Sequence, residues 1–477
     1  MRVLLIVPPF ADLYGQYRSL YRAGFVNPPL GLCYLAASME KAGHVVRILD
    51  AEAENLSPQE VINRASEFCP DLIGLGATSP EFPRVVSLVS ALKSQWSTAP
   101  IVVGGTHLSI FQKKVLQENP EIDFGIVGDG ENTLVELTEN IFKQHALYRI
   151  KGLIYRENGT DEIVQNELRS AEYQLDYYPF PARGLLKNDK YYRAVPKKGY
   201  VTTASVMSSR GCPYKCIYCA VDKIHGGSLA RFRSAQNVLE ELEYIVKEMG
   251  INHVAFNDDC LTLKKKRMYD ICEGIKKRGL KFTWEGLSRA DLVDRELLDE
   301  MKRAGLVRIS YGIESGNSKI LEILQKGESL EKIEYAFKIT KEAGIVTRGS
   351  VLLGAPYETK ETVKDTFRFI KKLRGLDQVA INVLQPYPGT KVRDMIIKGE
   401  GGTKFVEDKN NFENLKRFGS ASISVNNLSP EDLILLQKKG FMGFYLRPKV
   451  IWNNFKITGL RAFLQDGFNF LRSVTGF

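Results

Sequence analysis

Twice along this chain, short runs that are apolar throughout alternate with stretches of helical periodicity, and this restricts the fold more than any other feature. Between Val3 and about Phe142 the apolar runs are Val3–Val7, Val45–Leu49, Leu72–Leu75 and Ile101–Val103, separated by helical patterns at Leu30–Lys41, Pro58–Phe68 and Val85–Trp96. Strands without a polar face are buried on both sides, so this order predicts an α/β domain with a parallel, doubly wound sheet. Such sheets bind ligands beyond the carboxyl ends of their strands. The loops in question are Pro8-Pro9-Phe10, Ala77-Thr78-Ser79, Gly104-Gly105-Thr106-His107 and Gly128-Asp129-Gly130-Glu131. The alternation restarts with strands at Val201–Ser205, Val254–Phe256, Phe282–Glu285, Val307–Tyr311, Ser350–Leu353 and Val379–Leu384. Six strand ends should then point at one mouth.

The second half opens with Arg210-Gly-Cys-Pro-Tyr-Lys-Cys-Ile-Tyr-Cys219, which sets Cys212, Cys216 and Cys219 in a CxxxCxxC triad. Three thiolates this close can converge on one face of an iron–sulfur cube and leave the fourth iron open to a substrate. A structural zinc site wants four ligands, usually as two separated pairs, and His225 would serve only awkwardly as the fourth.

The run resembles the cluster motif of the radical S-adenosylmethionine (SAM) enzymes, including the Arg-Gly lead-in, the Pro after the first Cys and Tyr218 before the third. The resemblance implies a [4Fe-4S] cluster on Cys212, Cys216 and Cys219, with SAM on the open iron, inside a partial (β/α)6 barrel. It also implies roles at the strand ends. Asp258 and Asp259 would hold the SAM ammonium, although Asp also suits a cap for a helix beginning near Thr262. The planar fork of Arg289 would pair with the SAM carboxylate. Glu314, in Gly-Ile-Glu-Ser-Gly316, would accept the ribose hydroxyls, Leu353 and Gly354 would pack against adenine, and Tyr218 would border the same site. Cys260 and Cys272 read as small buried hydrophobes.

The four loops of the first domain, with Asn27-Pro-Pro-Leu-Gly31 and Ala42-Gly-His-Val-Val-Arg-Ile-Leu-Asp50, resemble the Rossmann-like cobalamin-binding domain that precedes many radical SAM cores. On that resemblance Thr78 and Ser79 would bond the nucleotide tail, and Gly104 and Gly105 would let backbone lie against it. His107, Gly128 and Glu131 would complete the cobalamin contacts. The DxHxxG arrangement that brings a histidine to cobalt is absent, so cobalamin is expected without one. His44 reads as a turn residue.

These readings divide the chain into a cobalamin-binding-like domain (1–145), a hairpin and Pro/aromatic linker (146–195), a radical SAM core (196–395) and a helical C-terminal region (396–477). The hairpin rests on Asn158-Gly159, and the strap on Tyr177-Tyr-Pro-Phe-Pro-Ala-Arg183. A length of 477 residues fits about three domains. The N-terminal apolar run is too short for a signal peptide, no stretch is long enough to span a bilayer, and a cluster needs a reducing compartment, so cytoplasm is expected. A formal charge of +10 favours an anionic partner without choosing one; nucleic acid is not the expected one. In the tail, Trp452, Phe455, Ile457, Leu460, Phe463, Leu464, Phe468 and Leu471 fall at roughly helical spacing with Lys456, Arg461 and Arg472 among them. This predicts either a lid over the barrel mouth or an interfacial helix touching a membrane.

The resemblance as a whole implies a cobalamin-dependent methyltransferase. SAM would be cleaved to a 5′-deoxyadenosyl radical, and a methyl group would pass to an unactivated carbon of a small, bulky apolar or lipid-like substrate. A flavodoxin or ferredoxin would supply the electron. The alternatives are a radical cyclase or ring-rearranging enzyme with the same cofactors and, from another class, an iron–sulfur electron-transfer protein.

Overall fold

β1 (Arg2–Val7) runs parallel between β2 (Val45–Asp50) and β3 (Leu72–Gly76), and β4 (Ile101–Gly104) and β5 (Phe124–Ile126) extend the sheet on the β3 side. This computed structural model describes residues 1–18, 26–95, 99–141, 144–157, 160, 162–227, 229–416 and 419–475. Trp96, Phe142 and the Asn158-Gly159 pair, named above, lie outside them. So do the side chains of Leu460, Arg461, Phe468, Leu471 and Arg472.

The strand order β2-β1-β3-β4-β5 is a doubly wound α/β arrangement whose crevice opens where the order reverses, between β1 and β3. Helices Leu30–Lys41, Pro58–Phe68 and Phe82–Gln95 connect the strands as their periodicity predicts. Ser57 caps the second of these in a reciprocal capping box with Glu60.

The expected hairpin forms, but it does not act as a linker. β6 (Leu153–Arg156) pairs antiparallel with β5, and β7 (Ile163–Gln165) follows it, so the hairpin covers what would be the open edge of the sheet. The first structural unit accordingly comprises Met1–Leu13, Val26–Lys190 and Ala220–Gly227, and the second Tyr14–Phe25, Tyr191–Cys219 and Ser228–Phe477.

In the second unit, β10 (Ala204–Val206), β13 (His253–Phe256), β14 (Thr283–Ser288), β15 (Leu306–Glu314), β16 (Val346–Leu353) and β17 (Gln378–Val383) form one parallel six-stranded sheet in sequence order. The predicted strand Val201–Ser205 is divided. β8 (Tyr192–Val195) and β9 (Gly199–Thr202) make a separate hairpin ahead of β10. Residues such as Trp284, Ile309, Ile313 and Val351 face the surrounding helices and are fully buried, and the alternate residues face the barrel interior. Ser234 caps the helix beginning at Ala235 by accepting from the Asn237 N–H.

The C-terminal region is mainly helical, with a small hairpin of β18 (Thr403–Phe405) and β19 (Ile423–Val425). Its last helix, Pro448–Thr475, breaks at Gly459 (φ 77°). The lid reading of the tail is corrected here. Asn453 and Asn454 donate to Asp377, at the start of β17, and the Ile457 carbonyl accepts from the Lys197 N–H in the β8–β9 turn. The first half of the helix therefore covers the foot of the barrel, opposite the mouth. Among the described residues no helix is long and apolar enough to cross a membrane.

Candidate functional site

β11 (Ser209–Arg210) pairs with β12 (Arg231–Phe232) and delivers the chain into the loop that carries the three cysteines. Gly211 has φ +88°, and a Cβ there would stand 2.6 Å from the Leu229 carbonyl oxygen, so this position requires glycine. Its N–H donates to the Asp259 carboxylate at 2.9 Å. Further on, the Cys219 N–H donates to the Cys216 carbonyl, the Ile217 N–H to the Leu324 carbonyl, and the Val392 N–H to the Ile217 carbonyl. The loop is anchored at both ends and in the middle.

Cys212, Cys216 and Cys219 are half-buried, whereas Cys33, Cys260 and Cys272 are buried. Burial pushes those last three thiols up to about 12, 11 and 12, which keeps them inert. Burial also raises the Cys212 thiol, with Asp259 and Cys216 adding to it against the opposing Tyr214 backbone and Arg289. The donor set fits an iron–sulfur cube: three accessible soft ligands on one loop, protonated until metal displaces the protons. Among the described residues no three of His, Cys, Asp and Glu are grouped as they would be around a single metal ion. A cube instead distributes its thiolates over separate irons. His225 belongs to the first unit, with Nδ1 3.8 Å from the Asp129 carboxylate.

Two of the expected SAM contacts are corrected. The Asp258 carboxylate accepts from the Ser208 N–H (3.1 Å), the Ser208 hydroxyl (2.7 Å) and the Ser209 hydroxyl. Burial raises its pKa, and these bonds only partly oppose that. It clamps the strand leading into the cysteine loop. The neighbouring Asp259, half-buried and bonded to Gly211, is the acid of the pair that stays at the loop surface. Arg289 closes its fork on Asp291 (Nε and Nη2, both 3.0 Å) and donates from Nη1 to the Lys326 carbonyl. Its Cζ lies 3.6 Å from the centroid of Tyr214, between the first two cysteines. Arg289 thus supports the loop instead of offering its fork to a carboxylate.

Glu314 ends β15 beyond a register shift and adopts φ 61°. Its carboxylate lies 3.5 Å from the buried Lys326 Nζ, which is 3.3 Å from Glu328. Glu328 in turn accepts from the Asp291 N–H. Burial favours the neutral lysine, but Glu314, Glu328 and Cys216 outweigh it and raise the Lys326 pKa. A Cβ on Gly312 would fall 2.1 Å from Glu314 Oε1 and 2.7 Å from Lys326 Nζ, so a side chain there would displace the ends of this pair. Tyr218 is held as a neutral phenol chiefly by burial, with Glu314 and Cys216 adding to the effect. Sequence reasoning missed Lys326, Glu328 and Tyr214; the polar Lys-Gly-Glu turn between two apolar helical patterns was the only signal for the first two.

Leu353 is also corrected. Its side chain is wholly buried in the core between sheet and helices, and Leu352 faces the interior. Gly354, at φ +93°, donates its N–H to the Glu358 carboxylate. Burial pushes Glu358 up to about 7.

At the carboxyl end of the first sheet, His107 is buried between Phe82 (ring centroids 3.9 Å apart, stacked) and Phe111, with Nδ1 3.1 Å from the Ser79 hydroxyl. Burial lowers its pKa to about 4. Gly105 is required by the protein itself, since a Cβ would stand 3.0 Å from both Ala77 N and O. Ser79, Gly105 and His107 therefore serve the joint between the β3 and β4 loops. Thr78 is exposed and Gly128 has open space where a Cβ would be. Gly104 and the buried Glu131 stand at the same sheet end. The missed residue here is Glu52, which accepts from the Phe10 and Ala11 N–H groups and sets the loop after β1. Thr78, Gly104, Gly128 and Glu131 leave these loops able to take a cofactor laid across the sheet end.

Comparison with known proteins agrees with this geometry. Residues 20–138 match the B12 binding domain model and residues 206–370 the Radical SAM superfamily model. The chain is 33% identical over its full length to an uncharacterized methyltransferase of Pyrococcus horikoshii, 98% of which is covered. It is 29% identical over 77% of its length to an anaerobic magnesium-protoporphyrin IX monomethyl ester cyclase of Cereibacter sphaeroides, covering 59% of that protein. The solved structure of the radical SAM methyltransferase TsrM from Kitasatospora setae, with cobalamin and a [4Fe-4S] cluster bound, shares the fold. Its TM-score is 0.72 at 18% identity, over 94% of this chain and 89% of that one.

Proposed function

We propose, on the premise that the chain belongs to the family of radical SAM enzymes with a B12-binding domain, that it methylates an unactivated carbon of a small organic substrate. The observation that carries this reading is the anchored loop of three half-buried thiols beside the Glu314–Lys326 pair, at the mouth of a six-stranded parallel sheet. When bound, the cluster and SAM supply a carbon radical, and cobalamin supplies a transferable methyl group. Cys212, Cys216 and Cys219 would hold the cluster. Glu314 would accept the ribose hydroxyls, and Asp259, besides fixing Gly211, would face the SAM ammonium. Gly354 and Leu352 would border adenine. Thr78, Gly104, Gly128 and Glu131 would bear on cobalamin. A reduced flavodoxin or ferredoxin in the cytoplasm would serve as electron donor.

Anaerobic reconstitution with iron and sulfide, followed by SAM, cobalamin, a low-potential reductant such as dithionite or reduced flavodoxin, and a methyl-accepting substrate, should give deoxyadenosine and a product heavier by one methylene. Alanine at any one of the three cysteines should abolish both. Full iron content and deoxyadenosine from a triple variant would defeat the reading. The similarity to the cyclase supports a second outcome, ring formation on the same cofactors. A product lighter by two hydrogens, or of unchanged mass, would select that.

A further inference from the structure

Below the mouth, the barrel interior is strongly cationic. Glu285 of β14 accepts from Arg308 of β15 (Nε, 2.8 Å, and Nη2) and from Arg193 of the β8–β9 hairpin. His253, 3.8 Å from the same carboxylate, is held neutral by burial. One carboxylate thus already serves two guanidiniums. A third, Arg348 of β16, stands one interior position nearer the mouth, in register with Ser310 and Gln378. Among the described residues it makes no hydrogen bond or ion pair, and its Nε is buried without a partner. The groups around it are engaged elsewhere: Gln378 donates to Asn454, and the Tyr445 hydroxyl bonds both the N–H and the carbonyl of Val379.

Arg348 is half-buried, its buried Nε has no partner, and the nearby Glu285 is already engaged by two guanidiniums; an anion beside it would offset the cost of keeping three cations together. The interior has room for it. Leu287, which faces inward in register with Ser310, is 43% exposed. Asn382, further up β17, leaves a buried Oδ1 without a partner. From Arg348 to Leu352 is four residues of strand, about 13 Å at roughly 3.3 Å per residue.

We propose that Arg348 receives an oxyanion of the substrate, a carboxylate or a phosphate, at the foot of the barrel interior, so that the rest of the molecule extends toward the mouth. This rests on the enzymatic reading above and narrows its small organic substrate to an anionic one. The bidentate geometry and permanent charge of arginine suit either group.

The test uses the reconstituted full-length protein at constant ionic strength, with inorganic phosphate and acetate as separate probes. Calorimetric titration should show saturable binding of at least one to the wild type, weakened tenfold or more in Arg348→Gln and less in Arg348→Lys. The stronger probe identifies the class. In anion-free buffer Arg348→Gln should melt no lower than wild type, because no native hydrogen bond or ion pair is lost and a cation is removed from beside two others. On the wild type alone, the bound anion should slow phenylglyoxal modification of Arg348, read by peptide mapping. Failure of both probes to bind, equal binding by Arg348→Gln, unfolding of that variant, or modification indifferent to the anion would overturn the proposal. Deoxyadenosine formation by the same wild-type preparation reports separately on the enzymatic reading.

Discussion

The guanidinium carbon of Arg289 lies 3.6 Å from the centre of the Tyr214 ring while its nitrogens close on Asp291, so one side chain ties the cysteine loop to the end of β14. A cation over an aromatic face contributes about 0.5–2 kcal/mol, and a forked ion pair adds geometric constraint that lysine cannot reproduce. Arg289→Lys and Arg289→Met should therefore both lose iron to a chelator several-fold faster than wild type, with the Met variant faster. Identical release rates would show that the loop holds itself.

The two acidic strand ends should separate cleanly. Asp258→Asn removes acceptor capacity from three buried donors and should lower global stability by about 1–3 kcal/mol in urea unfolding. Glu314→Gln retains the shape beside Lys326 and should change stability little, while weakening SAM binding about tenfold in an anaerobic titration of cluster-loaded protein. A SAM defect in Asp258→Asn without a stability defect would reverse the assignment.

His107 should stay neutral and off the metal. Its folded pKa of about 4 lies below the ordinary value of 6.5. Its contribution to stability is therefore fully present above 6.5 and is lost as pH falls through 4. His107→Phe should flatten the acid side of the stability profile in that window. The Co(II) electron paramagnetic resonance spectrum of the cobalamin-loaded variant should match that of wild type. Protein nitrogen hyperfine splitting present in wild type and lost in His107→Phe would contradict this.

Glu358 gives the opposite sign. Its folded pKa of about 7 is raised above the ordinary 4.5 by burial, despite hydrogen bonds from Gly354 and Ala355. The protein binds this proton more tightly than the unfolded chain does, so stability is greatest below 4.5 and declines as pH rises through 7. At 1.36 kcal/mol per unit the loss is at most about 3 kcal/mol by pH 8. Glu358→Gln should remove that decline and be the more stable protein at pH 8. Parallel melting curves from pH 5 to 8 would dispose of the idea.

Much of the fold was legible because apolar runs report burial directly. The strands at Leu72, Ile101 and His253 begin within a residue of their predicted starts. Sites were legible where the chemistry is local, as in the cysteine triad. Parity was harder. Asp258 and Asp259, or Leu352 and Leu353, are adjacent in the chain, yet one of each pair points into the protein and the other toward open space. A one-residue difference decides this, and composition does not reveal it. The β6–β7 hairpin was recognised as a hairpin, but its place on the edge of β5 depends on a strand nearly thirty residues earlier.

The sequence by itself determined the two parallel sheets and the three closely spaced thiols on one loop, because periodicity and close spacing are expressed within a short stretch of chain. Only the tertiary structure decided that Lys326 and Glu328 stand beside Glu314, that Arg289 braces Tyr214, that the first half of the last helix covers the foot of the barrel, and that Arg348 faces the interior with no hydrogen-bond partner among the described residues. Those relations join segments far apart in sequence. Charge and hydrogen-bond balance is settled by neighbours in space, where a buried group must be satisfied by whatever the fold brings to it.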